Sequence, residues 1–147
     1  MNANVVVAMR EVEVIGAPDE SSVLRAANAT LDRLCVVDAH VAIEFVDEAQ
    51  MQALNLQFRE LDKPTDVLSF PIDGESIAAA HAANAGETHG EAETLELGDV
   101  VICAQHTTDI PEAVVHGVLH LCGFDHEKDS GQMLTLQDSI VDSLVTA

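Results

Sequence analysis

The segment HGVLHLCGFDH, residues 116–126, constrains the fold more than any other part of the chain. From residue 113 to residue 122 the only polar side chains are two histidines, so a helix there has almost no polar face to turn toward water. Such a helix must lie in the centre of a domain, covered by other elements. Pro111 suits the first turn of a helix and marks where this one begins.

The histidines of this segment have the spacing of metal ligands. His116 and His120 are four residues apart, so on a helix their imidazoles project from one face and can share an ion. Gly123 can take the left-handed conformation that ends a helix and turns the chain back, which brings in His126. Three neutral imidazoles leave the fourth tetrahedral position of zinc to water, as in catalytic sites. The spacing therefore predicts one catalytic Zn²⁺ per chain, bound by His116, His120 and His126.

The same histidine spacing occurs in the metzincin proteases, as H-E-x-x-H-x-x-G-x-x-H. Those enzymes use the glutamate as general base, whereas Gly117 stands at that position here and has no side chain. The zinc geometry is shared, but peptide hydrolysis lacks its usual base. Asp125 is left with two interpretations, as a carboxylate that orients an imidazole or as a solvated turn residue.

The rest of the chain alternates between strand and helix patterns. Val-rich or alternating runs predict strands at residues 4–9 and 11–15, which form one strand or two short ones, and at residues 40–46, 67–70 and 97–103. Capping side chains followed by apolar periodicity predict helices from Asp19 to about Cys35, from Asp47, from Pro111, and over residues 130–144. Residues 74–96 show no sustained apolar period and predict a mobile, acidic surface loop.

Size and composition suggest one domain over residues 1–147 and pose a problem of charge. The 26 acidic and 6 basic residues give a net charge of −20, and such a surface repels polyanions. Any nucleic-acid partner must therefore be attracted by a local group of positive charges.

With no secretory signal and no apolar run long enough for a bilayer, we expect a cytoplasmic protein. Three widely spaced cysteines, Cys35, Cys103 and Cys122, predict buried free thiols rather than disulfides or a thiolate zinc site.

Three motifs, in this order along the chain, resemble the bacterial YbeY endoribonucleases. The histidine segment is similar to the family's H-G-x-L-H-L-x-G-[FY]-D-H. The upstream residues Leu54-Asn55, Phe58-Arg59, Asp62 and Thr65-Asp66-Val67-Leu68-Ser69-Phe70-Pro71 resemble L-N-x-x-[FY]-R…T-D-V-L-S-F-P, and Leu97-Gly98-Asp99-Val100-Val101-Ile102 resembles L-G-D-I-x-I. The resemblance covers most of the chain.

The resemblance implies an α+β fold, with a small mixed sheet of about four strands packed with helices and a central helix that carries the histidine motif. It implies a metal-dependent endoribonuclease, specific for single strands, that acts in small-subunit ribosomal RNA maturation and in ribosome quality control. Its partners would be single-stranded or ribosomal RNA, the small ribosomal subunit and assembly proteins. The family's zinc ligands correspond to His116, His120 and His126, and its functional arginine to Arg59. A guanidinium suits such a role because it can pair with a phosphate through two hydrogen bonds.

The sequence departs from the family's pattern in three places. Only residues 104–110 separate the last strand from Pro111, the loop at residues 74–96 is longer than usual, and cations are few.

Two other functions stay open. The alternatives to an endoribonuclease are a zinc hydrolase of peptides or amides, with Asp125 as a substitute base, and a non-catalytic ribosome-assembly factor. Lys63 adds local positive charge or is a loop cation. The remaining histidines, interpreted as surface or structural residues rather than a fourth ligand, are His40, His81, His89 and His106.

Overall fold

A mixed β-sheet lies at the centre of the fold in the computed structural model, which describes residues 10–83, 88–89 and 94–146. Its main strands are β1 (Glu11–Ile15), β2 (Val36–Val46), β3 (Val67–Pro71) and β5 (Leu95–Cys103), in the order β1-β2-β5-β3, and the short β4 (Thr88–His89) pairs with the start of β2. β1, β2 and β5 are parallel, and β3 is antiparallel to β5 at one edge. The predicted small mixed sheet is confirmed, whereas the strand predicted over residues 4–9 lies outside the described residues.

Five α-helices accompany the sheet in the described part of the chain, and the longer ones begin where the sequence predicts. They are α1 (Glu20–Arg33), α2 (Glu48–Arg59), α3 (Ile77–Ala82), α4 (Ile110–Leu121) and α5 (Gln132–Thr146). Asp19, Asp47 and Asp109 are the N-caps of α1, α2 and α4, and each carboxylate accepts a hydrogen bond from a backbone N–H of the first turn. Among the described residues, no helix combines the length and the apolar character needed to cross a bilayer.

Helix α4 packs against both the sheet and two other helices. It contacts β3 and β5 of the sheet and the helices α1 and α5. Val114, Val115, Val118, Leu119 and Leu121 are fully buried, as expected for a helix that is apolar nearly all round. Alternate residues of β5 face opposite ways, so a second, smaller cluster forms on the α2 side of the sheet. The central position of α4 agrees with its sequence.

Residues 74–96 contain more regular structure than their composition predicts. α3 and the first residues of β5 fall within this range, and Ile77 is fully buried. The N–H of Ala78 donates to the carbonyl of Cys122 at 2.9 Å, and a Cβ on Gly74 would lie 2.4 Å from the carbonyl oxygen of Leu121. The prediction of an unstructured surface loop is therefore wrong for this helix, because one apolar residue anchors it to the end of α4. Residues 84–87 and 90–93 lie outside the described residues.

The cysteines are free, but one differs from expectation. Cys103 and Cys122 are buried as predicted, and burial raises the pKa of the Cys122 thiol to about 12, which keeps it protonated and unreactive. Cys35 is exposed instead, because it follows the end of α1 in a left-handed conformation with φ of 59°. The prediction of burial is wrong for this residue.

Candidate metal centre

Helix α4 presents two of the predicted ligands on one face. The ring centroids of His116 and His120 are 4.7 Å apart, and both side chains are half-buried. Asp109 caps the helix by accepting from the N–H of Glu112 at 3.0 Å, and Pro111 occupies its first turn. The spacing of four residues therefore brings the two imidazoles together, as predicted.

The turn after α4 delivers the third histidine. Gly123 has a φ of +94°, and a Cβ there would lie 2.2 Å from the carbonyl oxygen of Glu75, so only glycine fits. The N–H of Phe124 closes the turn by donating to the carbonyl of Leu119 at 3.1 Å. The ring of His126 then lies 5.1 and 5.2 Å, between centroids, from the other two rings.

The nitrogen atoms of these imidazoles are close enough for a metal ion. One nitrogen from each of His116, His120 and His126 lies within 4.8 Å of the others. Over residues 10–83, 88–89 and 94–146, no other group of three or more His, Cys, Asp or Glu side chains converges in this way. The convergence predicted from the sequence is therefore present in the structure.

Hydrogen bonds fix the tautomers that suit metal binding. Nδ1 of His116 donates to Oε1 of Gln137 at 2.7 Å, and Nδ1 of His120 donates to the carbonyl of Phe124 at 3.0 Å. Both rings therefore keep Nε2 as a free electron-pair donor. Nδ1 of His126 is buried and has no hydrogen-bond partner in the described structure. Two oriented donors beside one unsatisfied imidazole form a set that fits a Zn²⁺ ion.

Burial also favours the neutral form of one candidate ligand. Desolvation lowers the pKa of His120 from its ordinary value of 6.5, and the charge of a protonated His116 acts in the same direction. The hydrogen bond to the Phe124 carbonyl opposes this shift without reversing it. His120 is therefore neutral at physiological pH, as a metal ligand must be.

Gly117 has a structural reason to lack a side chain. An ideal Cβ at this position would lie 2.5 Å from Cγ1 of Val100, because α4 rests directly on β5. Its carbonyl accepts a hydrogen bond from the Ser69 hydroxyl of β3 at 3.2 Å. A glutamate at residue 117 would meet the sheet before it reached the cleft. The glycine thus allows α4 to pack closely and leaves no room for the base that the metzincins use.

The histidines open onto a cleft of about 930 Å³. Besides the three imidazoles, its walls carry Arg59, Gln137 and Ser69 together with six carboxylates, which are Asp66, Glu75, Asp109, Glu112, Asp125 and Glu127. Asp125 accepts from the N–H of Glu127 at 3.0 Å, and no hydrogen bond joins it to an imidazole in the described structure. Of its two interpretations, the geometry favours the turn residue.

Arg59 reaches the cleft from the far end of α2. It is the last residue of that helix, exposed, and has no hydrogen-bond or ion-pair partner among the described residues. In the turn behind it, Glu60 takes a left-handed conformation, and the buried Asn55 donates from Nδ2 to the carbonyl of Lys63 at 2.8 Å. The structure therefore brings the predicted arginine and the histidine cluster to one cleft.

The other described histidines have partners elsewhere. His40 contacts Glu96 and Glu13 on the sheet, His106 lies 3.3 Å from Glu48, and the ring of His81 packs against Phe124. His106 lines the cleft, but it does not join the group of candidate ligands. The side chain of His89 lies outside the described residues. The interpretation of His40, His81 and His106 as surface or structural residues therefore agrees with the structure.

Sequence reasoning missed Gln137. This side chain is only 7% exposed, lies in α5, and holds His116 from a position 21 residues further along the chain. A signal was present, because Gln137 lies between the buried Met133 and Ile140 on the apolar side of its helix. A polar residue on such a face needs a buried partner.

Comparison with known families and curated proteins agrees with this geometry. The sequence model of the family described as Endoribonuclease YbeY matches residues 12–145. Curated proteins of that name include one from Caldanaerobacter subterraneus, 34% identical over 145 residues and covering 89% of each chain. Another, from Leifsonia xyli, is 36% identical over 140 residues, covering 85% of this chain and 86% of its own.

A solved structure shares the fold. A protein of Thermotoga maritima, determined in solution, superposes with a TM-score of 0.51 at 26% sequence identity. The match covers 89% of this chain and 87% of the Thermotoga chain. The likeness therefore extends over the sheet and the helices that surround the histidines.

Proposed function

We propose that this chain, which belongs to the Endoribonuclease YbeY family, is a zinc-dependent endoribonuclease that cuts single-stranded RNA. The observation that carries the proposal is one cleft that holds three converging imidazoles and a guanidinium with no partner among the described residues. The first set suits a metal ion and the second suits a phosphate. A phosphodiester substrate needs both.

His116, His120 and His126 would hold the ion, one Zn²⁺ per chain. When bound, zinc supplies a Lewis acid that polarises water or a phosphate oxygen in the cleft. The protein's part is to present neutral, oriented imidazoles, which the hydrogen bonds from His116 to Gln137 and from His120 to Phe124 achieve. Three protein ligands leave a coordination position open, which supports catalysis over a purely structural zinc in an assembly factor.

Arg59 would bind the phosphate next to the cleaved bond. Its guanidinium can donate two parallel hydrogen bonds to phosphate oxygens and stabilise charge that develops there. Because it has no partner among the described residues, binding a phosphate would break no ion pair with any of them. The end of α2 presents Arg59 at the wall of the cleft.

A peptide or amide hydrolase is the weaker candidate. The position that carries the base in metzincins is Gly117, which is packed against Val100. Carboxylates such as Glu112 and Glu127 do line the cleft, so a different base is chemically available. A guanidinium on the cleft wall, however, has no particular use in peptide hydrolysis. The site chemistry therefore favours RNA.

The cellular role that we propose follows from the family. It comprises maturation of small-subunit ribosomal RNA and quality control of ribosomes in the cytoplasm, in contact with the small subunit and its assembly proteins. We also propose that residues 1–147 act as one domain. The net charge of −20 limits RNA affinity, so the attraction must come from a few local cations.

The decisive experiment compares wild type with Arg59→Ala, Arg59→Lys and Arg33→Ala. Arg33 donates to Ser139 on another part of the surface at 2.8 Å, so its loss changes net charge equally without touching the cleft. Each protein is assayed on single-stranded RNA and on an unstructured peptide mixture, with and without chelator. Bound zinc is measured in parallel.

Both Arg59 variants should lose RNA cleavage by roughly 100- to 1000-fold, because removing one preorganised donor to the transition state costs about that much and lysine cannot form the planar two-point contact. Zinc content should stay near one per chain in all four proteins. Metal-dependent cleavage of peptide but not of RNA would overturn the proposal. Wild-type rates in both Arg59 variants would remove this residue from the mechanism.

A further inference from the structure

An exposed aromatic ring lies next to Arg59. Phe58 is 55% exposed, in a chain that has four phenylalanines and neither tryptophan nor tyrosine. Its ring meets that of Phe70, in the edge strand β3, edge to face, with centroids 5.0 Å apart and planes at 67°. Phe70 packs against the smaller core cluster, so the sheet supports one side of Phe58 while about half of its surface faces water.

Four of the six Lys and Arg side chains have a partner within the protein. Arg10 pairs with Asp32 at 2.7 Å, Arg33 donates to Ser139, Arg25 donates to the carbonyl of Leu144, and Lys128 lies 3.9 Å from Asp125. Arg59 and Lys63 have no side-chain partner among the described residues. In a protein of net charge −20, the two cations that lack a side-chain partner among the described residues therefore lie at the end of α2 and on the turn after it.

The end of α2 and the turn after it bring the aromatic ring and both cations together. The backbone N–H groups of Glu60 and Leu61 bond back to α2, and Asn55 holds the carbonyl of Lys63 at 2.8 Å. Phe58, Arg59 and Lys63 thus lie on one short segment whose backbone is hydrogen-bonded to α2. An aromatic platform beside phosphate-binding cations is the arrangement with which proteins bind single-stranded nucleic acid.

We propose that Phe58 is a stacking platform for a nucleobase of the RNA substrate, beside the phosphate that Arg59 binds. The inference rests on the proposed endoribonuclease function and names how its substrate is held. A strand bound in this way would run from the histidine cluster past Arg59, over the β3 edge, to the α2 side of the sheet. Bases in a duplex are already stacked, so this platform selects single strands.

The experiment exploits the absence of tryptophan. The Phe58→Trp variant contains a single tryptophan whose fluorescence reports stacking directly, and Val145→Trp, at an 81% exposed position in α5, is the matched control. Phe58→Leu keeps an apolar side chain but removes the aromatic face. The zinc-loaded proteins are titrated at low salt with a short 2′-O-methyl oligoadenylate, a single strand chosen to resist cleavage, and with the same strand in a duplex.

The single strand should quench the Phe58→Trp variant saturably, whereas the duplex should not, and Val145→Trp should not respond. Phe58→Leu should raise the dissociation constant roughly 5- to 150-fold, the range for loss of one stacked base. On cleavable RNA it should raise KM more than it lowers kcat. Equal RNA binding by wild type and Phe58→Leu, or no quenching in Phe58→Trp, would overturn the inference.

The two proposals fail differently. If wild type binds and cleaves RNA while Phe58→Leu behaves identically, the stacking platform is wrong and the endoribonuclease function stands. The exposed ring would then be an apolar surface that any aliphatic side chain could replace, as in a protein contact. If wild type neither binds nor cleaves single-stranded RNA, the proposed function itself fails.

Discussion

A methyl group added at residue 117 would force α4 away from the sheet. Gly117 is buried, and an ideal Cβ there would lie 2.5 Å from Cγ1 and 3.1 Å from Cγ2 of Val100. Val100 is fully buried and branched at Cβ, so its methyl groups cannot easily swing away. Because His116 and His120 flank this contact on the helix, the shift would also disturb the candidate metal centre.

Two opposing effects set the magnitude of Gly117→Ala. Overpacking of a core contact costs about 1–3 kcal/mol, while alanine in place of glycine inside a helix gains about 1 kcal/mol. The free energy of unfolding should therefore fall by up to about 2 kcal/mol. Val100→Ala removes both methyl groups that clash, so in that background the same substitution should stabilise the protein by about 1 kcal/mol.

The assay is a double-mutant cycle of wild type, Gly117→Ala, Val100→Ala and the double variant. Urea unfolding followed by circular dichroism, with a chelator present throughout, keeps metal binding out of the comparison. We expect a coupling of about 1–3 kcal/mol between the two sites. Equal stabilisation by Gly117→Ala in both backgrounds would show that α4 does not press on Val100, and the explanation for the missing base would fail.

Two further predictions concern hydrogen bonds to histidines. Gln137→Leu should weaken zinc binding by about 10- to 100-fold in chelator competition, because His116 loses the acceptor that orients it. His116→Ala, which removes a ligand, should leave well under one zinc per chain. Wild-type zinc affinity in Gln137→Leu would refute the role of the glutamine. His40→Gln should reduce stability at about pH 5.5 but hardly at about pH 9. The hydrogen bond to Glu96 raises the pKa of His40 above 6.5, so its stabilisation is complete below the unfolded pKa and disappears as pH rises through the folded one. Equal losses at both pH values in urea unfolding would contradict this.

The local sequence was sufficient to predict the candidate metal ligands. Residues four apart on a helix share a face, and a glycine in left-handed conformation reverses the chain, so the convergence of His116, His120 and His126 follows from neighbouring residues alone. The helix starts at Asp19 and Asp47 followed from capping chemistry in the same way. The three ordered motifs identified the family, which the comparisons confirm. The role of Arg59 stays a prediction.

Composition misled where a single residue mattered. The low-complexity range 74–96 offered no periodic signal, yet Ile77 is buried and anchors α3 beside the turn at Gly123. Cys35 looked like a small core residue, but the backbone at the end of α1 turns it outward. Neither outcome depends on a pattern within the segment. The burial of Ile77 depends on what lies next to it in space, and the exposure of Cys35 depends on a single backbone conformation.

The sequence by itself determined the periodicity of the helices and strands, the spacing of the three histidines and the membership of the family. Only the tertiary structure decided that Gln137 orients His116 from a distant helix and that Arg59 lines the same cleft as the histidines. It also decided that no side chain fits at residue 117, because Val100 occupies that space. The physical reason is the range of the interactions. Helical and turn geometry depend on residues a few positions apart, whereas close packing joins side chains whose separation along the chain carries no signal.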